Sequence, residues 1–289
     1  AGLNMTAGLK AISTAAFDPA YTYLQMGLYL LPDEAWQTQY GLTLRLHQAC
    51  IEAARLTGRF EEMEGFFKTV CQQAIDPLDA GNAYTSRIRA CMMQNKLTEA
   101  YDTARRILEF FGENLPEAPS QKEILSVLEE TLSFIGEKPI EDLLKLPRMK
   151  NDKKLMAMNI MSEVVSAVFI GTPRIFPHLI CKQIRLSYVH GNTAASAFAY
   201  AAMGAILCRL FDDTEKGYRF GKLAVSLIKK LNANEAEAKV YHAISGYINH
   251  YKEPIRKTME MALQGYRAAM ETGDFEFAGY NGYSYNKHA

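Results

Sequence analysis

The side chains most able to do chemistry are few. Six histidines stand at 47, 178, 190, 242, 250 and 288, and five cysteines at 50, 71, 91, 181 and 208. His178 and Cys181 are three apart and would share a helix face, but two ligands do not make a tetrahedral zinc site. His242 and His250 are eight apart and could share a face, with no carboxylate or cysteine at ligand spacing. His47, in "LRLHQACIEAAR", lacks the acidic neighbour and following proline of a phosphoacceptor helix, and reads as a packing residue. No Cys-x-x-Cys pair occurs and the cysteine count is odd. In apolar helical surroundings these are expected to be buried free thiols in a reducing compartment. The sequence contains no phosphate loop, nucleophile elbow, kinase signature or His-Glu-x-x-His motif. The expectation is therefore no catalytic residue, no metal and no cofactor.

Binding is the chemistry left to consider. In "RLSYVHGNTAASAFAYAAMG" (185–204), Gly191 and Asn192 suit a left-handed helix end and Thr193 suits an N-cap. The alanines that follow make a thin helix. Such a stretch forms either a tight hairpin or the floor of a narrow groove with polar edges at Arg185, Tyr188, His190 and Asn192. Near the chain's end Tyr280, Tyr283 and Tyr285 cluster. They read as core filling or, with Tyr280 foremost, as an aromatic recognition surface. Trp36, after "PDEA", reads as a packing anchor at the start of a long helix.

The elements that must position these residues are helical. Leu42, Leu46, Ala49, Cys50 and Ala53 recur at steps of three and four. Prolines at 19, 32, 77, 147, 173 and 254 punctuate the chain where helices begin or end. No convincing strand is present, so the fold class is all-α. Lysine plus arginine equals aspartate plus glutamate, at 32 each; this balance gives no sign of a nucleic-acid partner. The most apolar run, "FAYAAMGAILCRLF" (198–211), falls short of the roughly 18 residues of a membrane span. With no signal peptide visible, a cytoplasmic location is expected and a membrane partner is not.

"LTGRFEEM" (56–63) and "ETGDFEFA" (271–278) repeat one pattern. Laid on the tetratricopeptide period of about 34 residues, Gly58, Asn95 and Gly273 fall at the turn between two helices. Phe60 and Phe275 fall where an aromatic would wedge the helices apart. Gly8, Ala20 and Gly217 fall where small residues let helices approach, and Gly27 and Gly221 land on other positions of the pattern. The register is irregular, with insertions around "ENLPEAPS" and "GEKPIEDLLKLPRMKND". The expected architecture is a right-handed superhelical solenoid of degenerate tetratricopeptide-like hairpins. It would comprise repeats over 1–114, an irregular helical insert over 115–192 and further repeats over 193–289. The chain, ending inside a patterned segment, reads as part of a longer protein.

Several stretches carry a resemblance that covers nearly the whole chain. They are "LNMTAGLKAISTAAFDPAYTYLQMGLYLLPDEAWQTQYGLTLRLHQACIEAARLTGRFEEME", "LPRMKNDKKLMAMNIMSEVVSAVF", "SYVHGNTAASAFAYAAMGAIL", "KGYRFGKLAVSLIKKLN" and "GYINHYKEPIRKTMEMALQGYRAAMETGDFEFAGYNGY". Together they resemble the helical repeat region of large STAND-type multidomain signalling proteins. In those proteins serine/threonine-kinase-like and AAA-type ATPase modules precede this region, and GAF and hybrid sensor histidine kinase modules often follow. The family often has Trp where this chain has Tyr251. The resemblance implies a non-catalytic binding scaffold or sensor arm. Its partners would be other domains of the same polypeptide, or a peptide, protein or small-molecule inducer. The alternative is the inducer-binding arm of a STAND-type transcription regulator.

Overall fold

Helix α1 (Gly2–Ser13) turns through Ala15 into α2 (Phe17–Tyr29). In a computed structural model that describes residues 1–136 and 139–289, this turn recurs along the chain. α4 (Tyr40–Leu56) passes through Gly58 into α5 (Phe60–Gln73), and α6 (Pro77–Met93) through Asn95 into α7 (Leu97–Phe110). Farther on, α13 (Thr214–Leu231) passes through Asn232 into α14 (Asn234–Tyr247). Then α15 (Ile255–Thr272) passes through Gly273 into α16 (Phe275–His288). Each turn residue has φ between 52° and 75°. Each time, the N–H of the following residue donates to the carbonyl five residues back, at 2.8–3.1 Å. The geometry is that of a Schellman C-cap, which satisfies carbonyls a helix end would leave orphaned. The next helix starts two residues past the left-handed one, leaving the two helices side by side.

Contacts divide the chain into two compact units. The first comprises residues 1–114 with 163–172, the second 115–162 with 173–289. In the first unit, α1 and α2 pack on α4, and α4 and α5 on α6. Leu24, Leu46, Cys50, Ile51, Met63 and Val70 fill that core. A short helix, α3 (Ala35–Thr38), precedes α4. Trp36 therefore does not open the long helix; Gln39 breaks the chain there with φ −138° and ψ 41°. It still anchors packing, with its ring 4.9 Å from His47 and 5.8 Å from Tyr40. The last helix of this unit is α10 (Val165–Gly171), which packs on α7.

The second unit holds α8 (Gln121–Ile135), a 3-10 segment (Ile140–Lys145), α9 (Asp152–Glu163) up to Ser162, α11 (Phe176–His190), α12 (Ala194–Leu210) and α13–α16. Its centre is α12, packed by α11, α13 and α14. Thr193 caps α12 through a reciprocal box with Ser196. Residues Ala195–Gly204 of α12 are all buried, so its alanines form core rather than the floor of an open groove. The closest approach is at the α12–α13 crossing. A Cβ on Gly217 would lie 2.6 Å from the Gly204 carbonyl oxygen and would also meet Cys208 Sγ. Phe275 departs from expectation: it is 70% exposed and wedges nothing, whereas Phe60 packs on the core of its unit. His242 and His250 do not share a helix, because α14 ends at Tyr247 and His250 lies in a separate 3-10 turn, Asn249–Tyr251.

Among the described residues the only β feature is one isolated parallel bridge, Arg148 to Asn192. No single helix there is long and apolar enough to cross a membrane. The five cysteines are free, with Cys50, Cys91, Cys181 and Cys208 buried. Glu137 and Lys138, within one of the insertions read from sequence, lie outside the described residues.

Two glycines one turn apart on α13 should respond oppositely to alanine. Alanine gains about 1 kcal/mol of helix propensity at either site. At Gly221 the nearest atom to a new Cβ would be Ile248 Cδ1 at 3.4 Å, so the gain should largely survive. At Gly217 the clash is with backbone, and overpacking of that kind costs about 1–3 kcal/mol. Urea denaturation should show Gly217→Ala destabilised and Gly221→Ala neutral or stabilised. Equal effects would contradict the close crossing.

Candidate functional site

Sequence placed the binding residues around the end of α11, and the structure separates their roles. Asn192 uses every polar group it has. Its N–H donates to the Pro147 carbonyl at 2.7 Å and its carbonyl accepts from Met149 N at 3.0 Å. Its side-chain Nδ2 donates to the Leu143 carbonyl at 2.8 Å, and Oδ1 accepts from the Tyr200 hydroxyl at 2.9 Å. With 1% exposure, Asn192 is a clasp holding segment 143–149 rather than a rim residue open to a ligand. Gly191 makes the clasp possible. Its φ is 103°, and a Cβ there would run into the Pro147 carbonyl.

Arg185 and Tyr188 do come together, around a residue that sequence did not single out. The Arg185 guanidinium lies over the Phe134 ring at 5.1 Å, and Tyr188 meets the same ring edge-on at 5.1 Å. Arg185 also sits 3.9 Å from Glu130. Phe134 is 40% exposed, so this is a surface patch on α8 and α11. His190 ends α11, half-buried, with no hydrogen bond to its ring among the described residues.

Tyr280 belongs to a separate cluster on α14 and α16. It stacks on His242 at 5.4 Å, meets Phe277 edge-on at 5.3 Å and donates its hydroxyl to Glu276 at 3.2 Å. Ser284 Oγ lies 3.2 Å from His242 Nδ1, which is the start of a nucleophile–base pair. The pair is poorly suited to catalysis. Ser284 is 3% exposed, and burial pushes the His242 imidazole down to about 4, leaving a weak base. Among the described residues no three His, Cys, Asp or Glu side chains converge to hold a metal ion.

A concave site does exist elsewhere in this unit. The 3-10 segment lies along α13 and buries Ile140 and Leu143, three apart on one side as 3-10 geometry requires. α13 grips it at two points roughly three turns apart. Arg219 Nε and Nη2 donate to the two carboxylate oxygens of Glu141 at 2.9 and 2.7 Å, and Lys230 Nζ donates to the Leu144 carbonyl at 2.6 Å. The Arg219 fork holds the Glu141 carboxyl down at about 2. Between the last turn of α8, the start of the 3-10 segment and the first turns of α13, a cavity of about 290 Å³ remains. It is lined by Leu132, Ile135 and Gly136 of the α8 end, by Pro139 and Ile140, and by Lys216, Arg219 and Phe220 of α13. The Phe220 ring is fully buried, 6.2 Å from Tyr200.

This site was not legible in the sequence, where 212–227 reads only as part of a repeat with Gly217 and Gly221 on pattern positions. Lys216 and Arg219, three apart on one face, were the available signal. The 78 residues between Glu141 and Arg219 hid their partnership.

Compared with curated proteins, this chain is similar at low identity to a signalling protein. It is 21% identical over 306 aligned residues to hybrid signal transduction histidine kinase G of Dictyostelium discoideum. The match takes in 96% of this chain and 9% of that protein, so the chain spans about a tenth of its relative's length. No family model matches, and no solved structure matches. The similarity points to a signalling context.

Two measurements check the roles assigned here. Asn192→Ala removes the Asn192 bond of the buried Tyr200 hydroxyl and one of the two donors to the Leu143 carbonyl, which also accepts from Leu146 N at 3.4 Å, at about 0.5–1.5 kcal/mol for each lost bond. Denaturation should show a loss of about 1–3 kcal/mol; a change below ~0.5 kcal/mol would remove the clasp. His242 is depressed in the fold relative to its ordinary value of 6.5. Its contribution is thus complete above pH 6.5 and is lost as pH falls towards 4, amounting to about 2–3 kcal/mol. His242→Phe should flatten the stability profile between pH 7 and 4 by that amount, as read from urea midpoints. An unchanged slope would contradict the buried neutral ring.

Proposed function

We propose that this chain is a non-catalytic binding arm of a larger signalling polypeptide of the STAND type, built on ATPase and kinase modules. The observation that carries the reading is the extent of the match: almost the entire chain corresponds to one small stretch of a signal transduction histidine kinase. The recurring left-handed turn with side-by-side helices supports an array of tetratricopeptide-like hairpins, stacked as a right-handed superhelical solenoid. In such an array each hairpin leans on its neighbours and offers side chains to a partner along one surface.

The partners are other domains of the same polypeptide, in a cytoplasmic setting, together with a peptide, protein or small-molecule inducer. The arm needs no cofactor, nucleic acid or membrane for this. It acts by holding the output modules in one state until the inducer favours another. Thermodynamics sets a requirement: the inducer must bind the released state more tightly than the held one. Moving the balance from 1:99 to 99:1 takes roughly a 10⁴-fold difference.

The test is association in trans. The purified chain is mixed with the remainder of the polypeptide encoded by its gene and followed by sedimentation velocity. A complex that weakens in an Arg185→Ala, Tyr188→Ala variant is the expected result. A remainder without ATPase or kinase modules, or no complex at all, would overturn the reading.

A further inference from the structure

The run "LKLPRMKNDKK" (144–154) carries five basic residues and one acidic one, in a chain whose charges balance. Lys145 is paired with Asp142 at 2.6 Å. Arg148 and Lys150 are exposed and make no ion pair or hydrogen bond among the described residues. The segment that carries them is held at both ends. Asn192 donates to the Pro147 carbonyl at 2.7 Å and accepts from Met149 N at 3.0 Å, while Lys230 Nζ donates to the Leu144 carbonyl at 2.6 Å. Farther on, Asn151 caps α9, its Oδ1 accepting from Lys154 N at 3.1 Å. Met149 is buried between the two exposed cations, so residues 148–150 alternate as an extended chain does.

The bridge to Asn192 uses backbone groups of Pro147 and Met149 and none of Arg148's own. In an extended segment the backbone groups of successive residues point to opposite edges. The Arg148 N–H and C=O therefore face away from Asn192, and neither is hydrogen-bonded among the described residues. The result is a short strand edge with an open donor–acceptor pair. Two cations stand on one face of it, roughly 6–7 Å apart along the chain.

Such an edge accepts a strand by main-chain pairing. Its cations repel a second copy of the same edge and favour opposite charges directly across from them. The phosphates of a nucleic acid or a lipid surface would answer the cations and the N–H, but they bring no donor to the Arg148 carbonyl. An extended peptide answers all three. Its backbone offers both a donor and an acceptor, and carboxylates two residues apart repeat at the spacing of the cations.

We propose that residues 147–150 form a docking edge for an acidic peptide segment, which pairs with the Arg148 backbone and sets its carboxylates against Arg148 and Lys150. Asn192 is a positioning residue here, because it presents the edge without touching the peptide. The edge is separate from the Arg185–Tyr188 patch, and the two fail separately. Absence of a complex in trans removes the arm, whereas absence of peptide binding removes only the edge.

The experiment uses the whole chain, isotope-labelled for amide NMR. The probe is a capped seven-residue peptide alternating threonine and glutamate. The controls are the same peptide with glutamine for glutamate, and its fully N-methylated form. The probe should saturate, shift the Arg148 amide signal and slow its hydrogen exchange at least tenfold, with both controls at least tenfold weaker. The double variant Arg148→Gln, Lys150→Gln, at exposed positions, should keep the native spectrum and weaken the probe at least tenfold. Arg267→Gln, on α15, should leave binding unchanged. No saturation, equal affinity for either control, an unprotected Arg148 amide, or unchanged affinity in the double variant would each overturn the proposal. A thymidine oligonucleotide or phosphatidylserine vesicles binding tenfold tighter than the probe would overturn the peptide assignment in favour of a phosphate-bearing partner.

Discussion

A residue in the left-handed region, with its Schellman hydrogen bond, is the constraint on which the fold rests. It ends a helix and aims the chain so that the next one must lie alongside. Glycine meets this demand at 58 and 273 without strain, and asparagine meets it at 95 and 232 with modest strain. Ala15 meets it at a higher cost, which the packing of Gly8 against Leu24 helps to offset. Because the device is local, insertions between hairpins leave it intact. The irregular spacing of the turns, 37 residues from Gly58 to Asn95, is a consequence.

In the second unit, local turns are joined by long-range clasps. Asn192 reaches back to Leu143, while Arg219 and Lys230 reach back to Glu141 and Leu144. These bonds lay a short 3-10 segment against α13 and leave a chamber at its end. The same Asn192 accepts from Tyr200, whose ring neighbours Phe220, a wall of the chamber. Core and cavity therefore share one frame built from elements far apart in sequence.

What sequence disclosed was what local chemistry encodes. The helical class, the turns at Gly58, Asn95 and Gly273, the Thr193 cap and the buried thiols all depend on neighbours a few residues away. So does the packing role of His47, whose Nδ1 lies 2.8 Å from the Thr43 carbonyl. Reading failed where the deciding partner was remote or the break carried no signal. Asn192 read as a helix end and a polar edge of a groove, and only its distant carbonyl partner shows otherwise. Gln39 breaks the chain with neither glycine nor proline to mark it. Phe275 shares its motif with Phe60 but faces solvent. Arg219 of the cavity and its partner Glu141 lie in stretches that sequence assigned to different parts of the protein.

In the proposed arm, local turns build the hairpins, clasps fix a surface patch, and chemistry would be left to other modules. Its most direct test is nucleotide turnover by the full-length polypeptide, intact and with this segment's α12–α13 crossing broken by Gly217→Val. The prediction is that the isolated chain turns over no ATP, while breaking the crossing changes the full polypeptide's basal turnover severalfold. Turnover by the isolated chain, or identical rates for the two full-length forms, would contradict it.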